Sequence, residues 1–332
     1  MALYLGPGDL ERLFAQGHVS IDDCITAVEA SFLEHGQQQV GILPRQILWA
    51  EEPPDSPRAR ALKLSASYMR ASRVMGASLY SVQYRPGDVD MWITLFSGET
   101  GRMLGILHGK ALSLWKTGAT AAVAARHMAR ADATSAALIG TGHYAKAQLL
   151  SLAAVRKLTR VLCFSRDTSR LRVFVDWAAD AFPEAQLVAA ESARQAVEAA
   201  DIIVTITTSP TPVVKGAWIK PGAHCNAMGQ HAPETRELDS AAVADARLIV
   251  DSIDQALNEK GELLIPMAAG IIDRKHIVGE LGAVVAGRVA GRRTADEKTV
   301  FCSGGTALEY MGLCEMLLKR ARAANLGQDL RD

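Results

Sequence analysis

SAALIGTGHYA, from Ser135 to Ala145, decides the fold: an apolar run of strand character ends in a G-x-G-x-x-A turn that opens a helical stretch. Each small residue of the turn has a physical task. Gly140 permits the tight turn, Gly142 lets a pyrophosphate approach the backbone, and Ala145 lets helix and strand pack closely, with the phosphate at the helix N-terminus. Thr141, His143 and Tyr144 fill the turn and are counted with Gly140, Gly142 and Ala145 as cofactor-binding candidates.

Outward from this turn, short apolar runs alternate with Ala/Leu/Arg-rich helical stretches, the pattern of a parallel sheet wrapped by helices. Strands are expected at 135–140, 160–165, 186–190, 201–207, 223–228 and 247–251, with helices at 146–158, 169–182, 192–199 and 240–246. The fold class is therefore α/β: a Rossmann-type doubly wound parallel sheet over residues 119–305. Its second strand ends at Phe164-Ser-Arg-Asp-Thr168, where a nicotinamide enzyme that prefers NAD presents an acidic residue to the ribose. Ser165 and Arg166 stand there instead and suit a 2′-phosphate, so NADP(H) is the preferred cofactor expected. NAD(H) stays possible, with Asp167 on the ribose and Arg166 as a solvated loop residue. Thr168 is counted with this cofactor loop.

The N-terminal third reads as a helical opening (8–36), a Pro/Glu-rich loop (51–58) and alternating segments at 62–68, 78–84, 91–97 and 101–108. Turns such as Arg85-Pro86-Gly87 and Gly98–Gly101 suggest antiparallel pairing. A helix over 305–325 is expected to pack back on this part. Residues 1–118 with 306–332 thus form an α+β second domain.

With 332 residues, 49% hydrophobic and 22% charged, the chain can bury a large core across two domains. Lys+Arg and Asp+Glu balance at 36 each, so no general electrostatic pull toward nucleic acid or an anionic membrane is implied. The N-terminus lacks a signal-peptide pattern, and no run of about 18 apolar residues occurs, so a cytoplasmic protein is expected. The five cysteines stand singly, without the spacing of zinc or disulfide frameworks, and no metal is expected.

Leu138–Gly142, Ala145–Gln148, Ala200–Thr205, Lys220–Asn226, Gly229, Arg236–Asp239 and Val250–Ser252 resemble, in order, successive signatures of the ornithine cyclodeaminase/mu-crystallin family. The similarity runs from about Leu43 to Gly305. The resemblance implies a homodimer whose N-terminal domain, completed by the C-terminal helix, supplies the dimer sheet and the pocket for a small imino- or amino-acid substrate. It implies that Arg45 holds the substrate carboxylate and that Lys116, where the family usually has arginine, lies near both carboxylate and cofactor. It also places Thr117, Thr205, Thr207, Asn226 and Met228 along the cofactor, and Ser303 to Gly305 over the nicotinamide, Gly305 also bordering the substrate.

Departures from the family pattern cluster on the substrate side. A family lysine is Ser78 here, a Met-Pro-Ala-Tyr segment is Ser65-Ala-Ser-Tyr68, and the acid that exchanges protons with the substrate amine in cyclodeaminases is His231. Ser65 and Ser78 join Arg45 and Lys116 as substrate-binding candidates, and His108 adds to a polar pocket. Imine reduction needs a hydride, a proton for the imine nitrogen and a cation for the carboxylate. His231 and Lys116 are the catalytic candidates for that chemistry. The expected activity is an NAD(P)H-dependent oxidoreductase that reduces the imine of a 2-oxo acid or oxidises the amino acid. The alternatives are an ornithine or lysine cyclodeaminase and a non-catalytic crystallin-like NADPH binder.

Overall fold

The computed structural model describes residues 1–50, 60–83 and 88–330. The Pro/Glu-rich loop and the Arg85-Pro86-Gly87 turn lie outside the described residues. The chain divides into two compact units, Met1–Lys116 with Thr306–Asp332, and Thr117–Gly305.

The first unit opens with β1 (Ala2–Leu5), α1 (Pro7–Ala15) and α2 (Ile21–Gly36), the last begun by a capping box in which Ser20 and Asp23 satisfy each other's backbone N–H groups. Then come β2 (Val40–Trp49), β3 (Arg60–Met69), β4 (Val74–Gln83), β5 (Asp88–Ser97) and β6 (Met103–His108). The unit ends in α11 (Leu308–Ala323) and β15 (Gln328–Leu330). The sheet runs β15-β1-β6-β5-β4-β3-β2, antiparallel except where β1 lies parallel to β6. Period-2 burial along β3 puts Ala61, Lys63, Ser65, Ser67 and Met69 inward. α11 packs against α2 and against β3, β4 and β5.

The chain passes into the second unit within α3 (Gly109–Met128), whose Ala119 to Ala125 run is buried nearly without interruption. A helix buried on every side carries no one-sided apolar stripe. That is why its periodicity does not announce it in the sequence.

The second unit alternates strand and helix: β7 (Ser135–Ile139), α4 (Ala145–Val155), β8 (Arg160–Phe164), α5 (Thr168–Ala181), β9 (Gln186–Ala189), α6 (Ala193–Ala199) and β10 (Ile202–Thr205). It continues through β11 (His224–Ala227), α7 (Ser240–Ala244), β12 (Arg247–Val250), α8 (Ile253–Glu259), α9 (Gly261–Ala268), β13 (Ile277–Glu280), α10 (Leu281–Val285) and β14 (Thr299–Cys302). The sheet is parallel throughout, in the order β13-β12-β14-β11-β10-β7-β8-β9. Strand order reverses at β7, between β8 and β10, the switch point at which doubly wound sheets open a ligand crevice. The six expected strands are present, and β13 and β14 are added to them. β14 inserts between β11 and β12, an order no local pattern reveals.

Candidate functional site

A cleft of about 330 Å³ opens at the carboxyl ends of β7, β8 and β10. Gly140 to His143, Phe164 to Asp167, Arg170 and Ile206 to Ser209 line it. Gly140 holds φ +107°, and a Cβ there would sit 2.5 Å from the carbonyl of Ile206, so only glycine makes this turn without displacing backbone. A Cβ on Gly142 would meet nothing within 4 Å: the backbone faces open space, as close approach of a phosphate requires. Ala145 is fully buried at the start of α4, whose N-cap Tyr144 provides no side-chain bond to the helix N–H groups. The Thr141 hydroxyl is buried in the turn without a hydrogen-bond partner. An orphaned hydroxyl in the turn that opens α4 fits a dinucleotide pyrophosphate. His143 rests edge-on against Tyr144, with ring centroids 5.3 Å apart.

Beyond β8, Ser165 and Arg166 line the cleft, and so does Arg170, which the sequence reading missed although it stands one helical turn after Arg166. Asp167 is committed to its own helix. One carboxylate oxygen caps the Arg170 N–H at 3.0 Å and the other lies 3.1 Å from the Arg170 Nε. Thr168, the first residue of α5, is exposed and not among the lining residues.

Of the other cofactor candidates, Thr207 lines the cleft, whereas Thr205, Met228 and Ser303 are buried behind it. Thr205 donates its hydroxyl to Glu237 at 2.9 Å, and Ser303 donates its own to Asp251 at 3.1 Å. The Asn226 amide is spent inside the unit, donating to the Ala121 carbonyl and pairing with His224. Gly305, at φ +70°, gives its N–H to Asp251 and its carbonyl to Gln255, so the Ser303 to Gly305 segment is tied to the start of α8. Thr117 is half-buried in α3. His231 is exposed on the loop after β11.

In the first unit, Ser65 and Ser78 face each other across β3 and β4 with hydroxyls 2.7 Å apart, both buried. Arg45 is half-buried in β2, at the register irregularity between Leu43 and Gln46. Lys116 is buried with its ammonium 3.7 Å from Glu309 and 5.2 Å above the Tyr310 ring. Glu309 is fully buried and accepts from the backbone and hydroxyl of Thr306. Lys116 therefore has a counter-charge that the sequence reading did not assign. Two residues that share a buried pair from helices far apart in sequence leave no spacing signal. His108 lies edge-on to Trp92 at 5.4 Å.

The family model for ornithine cyclodeaminase/mu-crystallin proteins matches residues 15–325. The chain belongs to the ornithine cyclodeaminase/mu-crystallin family. Within it, the chain is 35% identical over 237 residues to a Delta(1)-pyrroline-2-carboxylate reductase of Bacillus cereus, covering 71% of this chain and 72% of that one. Among solved structures, it resembles the Thermococcus litoralis Delta(1)-pyrroline-2-carboxylate reductase in complex with NADH and L-proline, at 32% identity and a TM-score of 0.90 over 99% of this chain and all of that one. An archaeal alanine dehydrogenase dimer with bound NAD superposes with a TM-score of 0.90 at 26% identity, over 99% of each chain.

Proposed function

We propose that this family member reduces the carbon–nitrogen double bond of a 2-imino acid to an amino acid, using a nicotinamide cofactor held in the cleft at the β7/β10 switch point. One observation carries the reading: the full-length likeness to a pyrroline-2-carboxylate reductase whose complex contains NADH and L-proline. The bound nicotinamide supplies the hydride. The protein's part is to hold, orient and protonate. Arg45 and Lys116 would neutralise the substrate carboxylate. Glu309, 3.7 Å from Lys116, would hold that lysine in place in its buried setting. His231 would deliver a proton to the nitrogen near neutral pH.

NADPH is the cofactor the cleft suits better. Arg166 and Arg170 both line it where a 2′-phosphate would lie, and Asp167 is held by its own helix cap. A homodimer is the assembly we infer. Leu48, Leu62, Leu64 and Leu79 lie on the face of β2, β3 and β4 opposite the one that buries Ser65 and Ser78, and all four are exposed. Four leucines side by side on one sheet face make an apolar patch that a second copy would cover. Five buried cysteines, none of them in a disulfide, accord with a reducing, cytoplasmic setting, and among the described residues no helix is long and apolar enough to cross a membrane.

The direct test is oxidation of NADPH and NADH by the purified protein with Delta(1)-pyrroline-2-carboxylate, and with 2-oxo acids mixed with ammonia or methylamine, the amino acid product being identified. His231→Ala should lower turnover by about a hundredfold or more with cofactor affinity nearly unchanged, the usual size of positioned proton transfer. No imine-dependent oxidation of either cofactor would remove the reading.

A further inference from the structure

Behind the loop that carries His231 lies a fully buried ion pair that no step above uses. Lys260, at the corner between α8 and α9, is 0% exposed, as are Glu262 and Glu237. The Lys260 ammonium is 3.4 Å from Glu262 and donates to the backbone carbonyl of Gln230, the residue before His231. Burial opposes charge on Lys260, but Glu262 and neighbouring acidic groups outweigh it and raise its pKa, so the side chain stays an ammonium. Glu262 in turn accepts the N–H of Glu237 at 2.9 Å.

Glu237 then ties two loops together. Its carboxylate accepts from the Thr205 hydroxyl at 2.9 Å, the Thr207 N–H at 2.6 Å and the Gly229 N–H at 2.8 Å. Thr207 lines the nucleotide cleft, and Gly229 begins the His231 loop. The loop is held at its far end as well. Thr235 donates to the Gln230 side chain at 2.8 Å, and any side chain on Gly261 would collide with the Thr235 carbonyl.

A buried ion pair is seldom a source of net stability, because desolvation offsets its attraction. Apolar residues would fill the same space more simply. What this pair does that apolar residues cannot is fix one carbonyl, that of Gln230, and so the backbone leading into the neighbouring residue. We propose that Lys260, braced by Glu262, is a positioning residue that acts through Gln230 to hold the His231 backbone at a fixed distance from the cofactor loop. The inference rests on His231 being the proton donor.

The test is a double-mutant cycle on pyrroline-2-carboxylate reduction with NADPH, reading kcat and cofactor Kd separately. Lys260→Met/Glu262→Gln removes both members of the pair together, so that neither is left without the other. Thr235→Val, at a half-buried position, loosens the same loop more mildly and serves should the double variant not fold. Each should lower kcat, the double variant by about tenfold or more, with cofactor Kd changed less than about threefold. In a His231→Ala background the same substitutions should change kcat by less than about twofold, because the group they position is gone. Equal losses in both backgrounds, or no loss in either, would overturn the positioning role. If His231→Ala alone kept turnover within about threefold, the proton-donor reading itself would fall and this inference with it.

Discussion

The hydroxyls of Ser65 and Ser78 meet at 2.7 Å across β3 and β4, buried and neutral, where the family pattern places a methionine and a lysine. A cation two residues after Gly76 would help bind and activate a free amino acid. A hydroxyl paired with another hydroxyl offers no charge. Together with His231 in place of an acid, this predicts that ornithine is not cyclised. Incubation with ornithine and NAD should release ammonia and proline far more slowly than the range of about 1 to 1,000 per second typical of enzymes. A rate within that range would contradict the assignment of substrate class.

Arg166 and Arg170 should divide the preference for NADPH between them. Losing one charge-assisted contact to a 2′-phosphate costs about 1.5 to 3 kcal/mol, or more than tenfold in affinity. Arg166→Ala and Arg170→Ala should each weaken NADPH by that order and leave NADH nearly unchanged. Fluorescence titration of both cofactors against wild type and the two variants checks it. Equal wild-type affinities would show that neither arginine reads the phosphate.

The cleft at the β7/β10 switch point is largely legible because its lining is local: Gly140 and Gly142 sit in one short turn, and Arg166 follows just after the next strand. What stayed hidden is non-local or unpatterned. The Ala119 to Ala125 run of α3 is buried all round and so lacks a stripe, and β14 pairs between strands that precede it in sequence. Thr205, Asn226 and Ser303 are expected along the cofactor, yet their polar groups are turned to Glu237, His224 with Ala121, and Asp251. A motif gives residue type and spacing, whereas which face a side chain takes depends on partners 50 or more residues away, as for Ser303 and Asp251. Lys260 gave no signal, since an interior lysine reads in sequence like any solvated one.

The leucine face of the first unit should be an assembly surface. Leu64 and Leu79 are cross-strand partners on it, 36% and 41% exposed. Placing a charge in a covered interface leaves it desolvated and unpaired, at a cost of several kcal/mol, while on an open surface the same change is nearly neutral. Leu64→Asp/Leu79→Asp should therefore convert a dimer to a monomer in light scattering while far-ultraviolet circular dichroism stays unchanged. A monomeric wild-type protein at micromolar concentration would remove the dimer reading.

His224 makes the stability of the second unit pH-dependent. Its ring is fully buried between the Thr299 hydroxyl at 2.9 Å and the Asn226 amide oxygen at 3.0 Å, and burial, aided by Arg292 and Arg156, lowers its pKa to about 3 against a bond to the Asn226 oxygen that favours the charged form. In the unfolded chain the same group titrates near 6.5. Between those two values the unfolded state binds a proton that the folded state refuses. Stability is then full above about pH 6.5 and falls as the pH drops, approaching about 1.4 kcal/mol per pH unit for one fully linked proton. Glu237 acts with the opposite sign: burial and Glu262 raise its pKa, so its share is lost as the pH rises through the folded value. The difference between wild type and His224→Gln isolates the histidine. Denaturant midpoints measured from pH 8 to pH 5 should decline for wild type more steeply than for His224→Gln, which starts less stable because its hydrogen bonds to Thr299 and Asn226 are remade imperfectly. Parallel profiles for the two proteins would mean that His224 takes up its proton without unfolding the site.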